Sequence, residues 1–127
     1  MSYFQITVHV PVPTPSGGEQ LQQLEIDVNP EQVIFIAKQP LQPLLIRMLG
    51  CQHITQTPVP TEFENLRRFD TLEGGTVWVN PNFIQFIFTP EIGKYKMIFV
   101  GGDGVVISTT REDLFKSLKG KPVIELQ

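Results

Sequence analysis

The chain is poor in the residues that usually announce chemistry: one cysteine, one tryptophan and two histidines among 127 residues. A single Cys51 excludes an internal disulfide and fits a reducing compartment. Cys51 and His53 lie two positions apart, but the other histidine, His9, falls in a separate strand. A zinc centre needs three or four ligands, so no metal and no cofactor are expected. No apolar run approaches the roughly 18 to 20 residues that cross a bilayer, so no membrane association is expected. MSYFQITVHV at the N-terminus lacks a basic region followed by an apolar stretch and a small-residue cleavage site. A cytoplasmic protein is the expectation.

Positive charge is also in short supply. Ten basic residues against thirteen acids give a net charge of −3, whereas a protein that displaces counterions from phosphates usually carries a clustered basic face. Arg67 with Arg68, and Lys94, Lys96, Lys116, Lys119 and Lys121, read as solvated surface. On this count nucleic acid is not expected as a partner.

Apolar patterning is plentiful. YFQITVHV at residues 3 to 10 and LQQLEIDV at 21 to 28 alternate with the period of a half-buried strand, and predict a hairpin across the Pro- and Gly-rich 11 to 18. IDVNPEQVIFIA at 26 to 37 is then echoed 51 positions later by VWVNPNFIQFIF at 77 to 88. Val28, Asn29, Pro30, Phe35, Ile36 and Gly50 fall on Val79, Asn80, Pro81, Phe86, Ile87 and Gly101 without a gap. Asparagine before proline ends a strand and presets a turn or a short helix. Gly101-Gly102-Asp103-Gly104 supplies the positive φ of a hairpin turn; its counterpart at Gly50-Cys51-Gln52-His53 reads as looser. Thr61 before Glu62 and Glu64, and Thr110 before Glu112 and Asp113, predict helices over about 61 to 69 and 110 to 119. The expected fold is therefore a β-rich α+β single domain over 1 to 127. It comprises two duplicated units at about 21 to 69 and 75 to 119, each of three or four antiparallel strands and a terminal short helix, joined by DTLEGGT at 70 to 76.

Catalytic motifs do not emerge. GGDG joins two strands and lacks the lysine and following helix of a phosphate loop, and nothing marks Cys51 as an activated nucleophile. No enzymatic activity is expected. Around TVWVNPNFIQFIFT, Ile84, Phe86 and Phe88 would share one strand face and Ile87 the other, so both faces are apolar. Such a strand is either buried twice or offers an interface, and Trp78, Phe83, Phe86, Phe88 and Tyr95 are the candidate partner-binding residues.

The stretch VWVNPNFIQFIFTPEIGKYKMIFVGGDGVVISTTREDLFKSL, ending at Leu118, resembles the small bacterial flagellar-operon family FlbD. It is also similar to the C-terminal half of LytTR response-regulator DNA-binding domains, through Val79, Asn80, Ile84 and the hairpin spacing. Thr76, Val77 and Trp78 stand where LytTR domains carry polar and basic DNA-facing residues, so the resemblance implies a topology without a set of binding residues. The Gln- and Pro-rich stretches resemble small cyanobacterial accessory proteins such as the carboxysome shell-assembly chaperone. The leading expectation is a non-enzymatic chaperone or adaptor that binds another protein or peptide, or a second copy of itself. The alternative is a regulatory nucleic-acid-binding protein of the LytTR or FlbD kind.

Overall fold

The computed structural model describes residues 3 to 60 and 63 to 118. Its first element is the expected hairpin, β1 (Phe4–Pro13) against β2 (Glu19–Val28), in register from Phe4 opposite Val28 to Pro13 opposite Glu19. The ladder continues through Pro11 and Pro13, inside the segment expected to connect the two strands. In a two-stranded sheet both strands are edges, and Pro11 and Pro13, two apart, sit where a missing N–H can face solvent. The turn is confined to Thr14–Gly18, where the Thr14 carbonyl accepts the N–H of Gly17 and the Gly18 carbonyl that of Thr14.

Both Asn-Pro pairs do what their chemistry dictates. Asn29 caps a 3-10 turn at Pro30–Gln32 and Asn80 caps one at Pro81–Phe83. Each asparagine Oδ1 accepts the N–H two residues on, at 3.1 Å for Glu31 and 3.0 Å for Asn82. Each turn feeds a three-stranded meander: β3 (Val33–Lys38), β4 (Leu44–Met48) and β5 (Cys51–Thr55) after the first. The later trio keeps the labels β8 (Ile84–Glu91), β9 (Lys94–Phe99) and β10 (Gly104–Ser108) after the second, following two strands described below. A bulge falls between Val33 and Phe35 in one meander and between Ile84 and Phe86 in the other. Ile36 faces Ile46 in the first and Ile87 faces Met97 in the second, again 51 positions on. The second hairpins differ by one residue: Leu49–Gly50 closes a two-residue turn, whereas Val100–Gly102 closes a three-residue one, with the Asp103 carbonyl accepting the N–H of Phe99. The Gly50 turn is thus the tighter of the two, against expectation.

Between the meanders lie β6 (Arg67–Asp70) and β7 (Thr76–Val79), paired antiparallel. Here the structure departs from the helix expected over 61 to 69. Arg67–Asp70 is extended and buries Phe69, because β7 offers a complete ladder to it, from Arg67 opposite Val79 to Asp70 opposite Thr76. Thr61 and Glu62 lie outside the described residues, as does the segment beyond Leu118. DTLEGGT is therefore a hairpin turn inside one sheet, closed by the Gly75 carbonyl accepting from Thr71 N–H and Thr71 Oγ1 accepting from Gly75 N–H.

The central sheet runs β5-β4-β3-β7-β6, and the last sheet runs β10-β9-β8. A bridge between Thr71 and Ile107 joins them. The middle of the central sheet is buried on both faces. Phe4, Ile6, Val8 and Val28 of the hairpin cover Val33, Ile36 and Ile46 on one side. Met97, Phe99 and Ile107 cover Ile34, Phe35, Val77 and Val79 on the other, with the Phe35 and Phe99 ring centroids 5.4 Å apart. Complete burial of side chains of this size contributes roughly 1.5 to 3 kcal/mol each. α1 (Arg111–Leu118) starts where expected, its Thr110 Oγ1 accepting the N–H of Asp113 at 3.1 Å, and closes the second core with Leu114 and Leu118. The result is a β-rich domain of antiparallel sheets with one α-helix among the described residues. No helix among them is long and apolar enough to cross a membrane.

Candidate functional site

The five aromatic candidates do not form one surface. Trp78 is half-buried against the hairpin-side core, and Phe83 and Tyr95 pack half-buried against the other. Phe86 and Phe88 alone stand out, 54% and 42% exposed, with ring centroids 6.1 Å apart. The bulge between Ile84 and Phe86 explains the division. It breaks the simple alternation, so Ile84 and Ile87 both join the core while Phe86 and Phe88 face outward. The expected grouping of Ile84 with the two phenylalanines is corrected accordingly.

On the outer face of the last sheet, register places Ile98 beside Phe86 and Lys96 beside Phe88. On the other flank of β9, Gly104 neighbours Ile98, Val106 neighbours Lys96, and Ser108 neighbours Lys94. Lys94 is held by Glu91. The basic run in the C-terminal sequence is thus divided, with Lys94 and Lys96 on β9 and Lys116 on α1; Lys119 and Lys121 lie outside the described residues.

A second basic grouping is made by the fold and was missed in the sequence. α1 packs beside β6, on the face where Phe69 meets Leu114 and Leu118, so Arg111 and Lys116 of α1 belong to an element that neighbours the strand of Arg67 and Arg68, although Arg68, opposite Trp78, is on the other face. Arg67 is anchored by donating to the carbonyls of Glu64 and Leu66 at 2.6 and 3.1 Å. Arg68 is two-thirds exposed, and its nearest carboxylate, Asp70, is 3.9 Å away. Arg111 stacks over Phe115, 4.7 Å from the ring centre. The signal that could have found β6 is Glu73-Gly74-Gly75, a hairpin turn with an extended segment on either side.

Charge is segregated along the chain. The first 37 residues hold four of the thirteen acids and no lysine or arginine, which leaves nine acids against ten basic residues in the rest. The hairpin carries Glu19, Glu25 and Asp27, so the net charge is a sum over two unlike regions.

The other chemistry-bearing groups do not assemble. Cys51 Sγ and His53 Nε2 lie 3.9 Å apart and exposed on β5. Among the described residues, no three of His, Cys, Asp and Glu come together as metal ligands. A cleft of about 470 Å³ between the central and last sheets is walled by Ala37, Leu45, Val77 and Val105, with Gln39, Thr71 and Glu73 as its polar members.

This layout has a counterpart among solved structures. Ninety per cent of the chain superposes on 98% of a LytTr DNA-binding domain from a methyl-accepting/DNA response regulator of Bacillus cereus, with a TM-score of 0.54 and 15% sequence identity. No protein-family model and no curated protein matches the sequence. The LytTR resemblance read from the second half therefore holds at the level of fold, and over nearly the whole chain. It also overturns the leading expectation of a protein-binding chaperone or adaptor with nucleic acid not expected as a partner, and favours the alternative, since the domain sharing this layout is a DNA-binding one. The expectation against nucleic acid rested on net charge, which hid the separation of an acidic arm from a slightly basic body.

Proposed function

We propose that this chain is a regulatory nucleic-acid-binding domain, non-enzymatic and cytoplasmic. The observation that carries the reading is the superposition of 90% of this chain on a LytTr DNA-binding domain. Exposed basic side chains on the neighbouring elements β6 and α1 support it. Arg68 and Lys116 are exposed there, and such side chains supply the sequence-independent phosphate contacts that dominate affinity.

The test is binding of a labelled mixed-sequence duplex by fluorescence anisotropy over a salt series. The logarithm of the binding constant is expected to fall linearly with log salt, by about 0.9 log unit per phosphate contact for each tenfold rise in salt, and Arg68→Ala with Lys116→Ala should reduce that slope by about two contacts. No binding at about 50 mM salt, where phosphate contacts are strongest, would sink the reading.

We also infer that the two meanders descend from a duplicated unit of about residues 21 to 69 and 75 to 119. The shared Asn-Pro cap, bulge position and first-hairpin register, all 51 positions apart, support this. If so, the second hairpins are interchangeable: exchanging the Val100–Gly102 turn for the Leu49–Gly50 sequence should leave a folded protein, and loss of the fold would count against common descent.

A further inference from the structure

The outer face of the last sheet is used by neither core, yet it is not a random surface. Phe86 and Phe88 expose about half of their area each, on one side of one strand, with rings 6.1 Å apart. Both belong to a sheet rather than a loop, so their positions are fixed by ladder hydrogen bonds to β9. Beside them the face is lined by Ile98 and Val106 and carries the ammonium groups of Lys94 and Lys96.

Gly104 sets the direction of Lys96. A Cβ at Gly104 would lie 2.7 Å from Lys96 Cε and 3.0 Å from Ile98 Cδ1, so the lysine stem runs over the bare glycine, toward β10 and away from the rings. Neighbouring strands are about 4.8 Å apart, which sets the charge a few ångströms to one side of two open aromatic faces. The carboxylates at its margins are engaged: Glu91 with Lys94, and Asp103 with Arg47. The face thus combines flat apolar rings with a positive charge at Lys96 that no carboxylate among the described residues pairs.

We propose that this face is a stacking platform for unpaired bases. The nucleic acid is held there as a single strand, with one base on each of Phe86 and Phe88 and a phosphate at Lys96. The inference rests on the nucleic-acid reading and narrows it. A duplex buries its base faces in its own stack and cannot offer them to a sheet, whereas a splayed strand can, and every base has a π-face to stack. Simple hydrophobic docking of a protein would not call for a lysine carried beside the rings on a face whose acids are already paired.

The experiment uses the full chain and three labelled probes: a twelve-residue oligothymidylate, the matching oligouridylate and a mixed-sequence duplex. Anisotropy is read for the wild type, for Phe86→Ala with Phe88→Ala, and for Phe86→Tyr with Phe88→Tyr. Circular dichroism checks that each variant is folded, which exposed positions permit. At least one single-stranded probe should bind more tightly than the duplex. The double alanine variant should lose at least about tenfold for that probe while duplex affinity stays within about twofold, and the double tyrosine variant should retain binding. Duplex binding without single-strand preference, or single-strand binding indifferent to the alanine variant, overturns the platform and leaves the nucleic-acid reading standing. Failure of all three probes removes both. A concentration-dependent dimer that only the alanine variant abolishes, with no change in oligonucleotide affinity, reassigns the face to a second copy of the chain and also overturns the platform.

Discussion

Asn80 ties together segments 47 residues apart: its Nδ2 donates to the carbonyl of Val33 at 3.1 Å. Its own N–H donates to the carbonyl of Ile34 at 2.9 Å, its Oδ1 caps the next turn, and the residue is buried. Asn29, the matching residue of the first echo, makes the cap and is only half-buried.

The pair therefore predicts an asymmetry. Asn29→Ala should cost about 1 kcal/mol, the loss of one cap. Asn80→Ala should cost roughly 2 to 4 kcal/mol, because it also strands a buried carbonyl and a turn N–H. Urea denaturation midpoints read the difference, and equal losses would contradict the assigned role.

Two adjacent glycines separate backbone strain from collision. Gly74 has φ +81°, but a methyl added there would have Pro40 Cγ as its nearest neighbour, at 3.9 Å; a methyl at Gly75 would collide with the Lys38 carbonyl oxygen. Gly74→Ala is expected to cost about 1 to 2 kcal/mol for the left-handed conformation. Gly75→Ala should cost more than that by disrupting the close approach to β3, and the order of the two urea midpoints decides it.

Arg47 reaches from the central sheet to Asp103 in the β9–β10 turn, Nε to Oδ2 at 2.5 Å, as a close ion pair instead of an aligned hydrogen bond. A double-mutant cycle with Arg47→Ala and Asp103→Ala should give a coupling of about 1 kcal/mol, partly screened by salt. The exposed pair Arg68 and Asp70, 3.9 Å apart, should give close to zero.

Trp78 packs in the hairpin-side core. Trp78→Ala should destabilise the domain by about 3 kcal/mol, measured by far-ultraviolet circular dichroism in urea. An unchanged midpoint would make Trp78 a surface anchor after all.

Much of this fold was legible in the chain, and what was not has physical causes. The first hairpin, the two Asn-Pro turns and α1 follow from period-two alternation, proline geometry and a capping threonine, all local effects. β6 was hidden because Thr61 and the acids after it mimic a helix start, while Phe69 gains its burial from pairing with β7. The outward turn of Phe86 and Phe88 was hidden by a bulge that alternation does not foresee. The nearness of basic residues on β6 and α1 was hidden because the two elements are distant in sequence and lie side by side only in the fold.

β3 places four consecutive buried residues in two cores: Val33 and Ile36 in the hairpin-side core, Ile34 and Phe35 in the other. One strand is therefore common property of both. Neither half can melt while its neighbour stays intact, so heat should be taken up in one peak with matching calorimetric and van't Hoff enthalpies. An echo written twice in the sequence is read out by the folded chain as a single, indivisible transition.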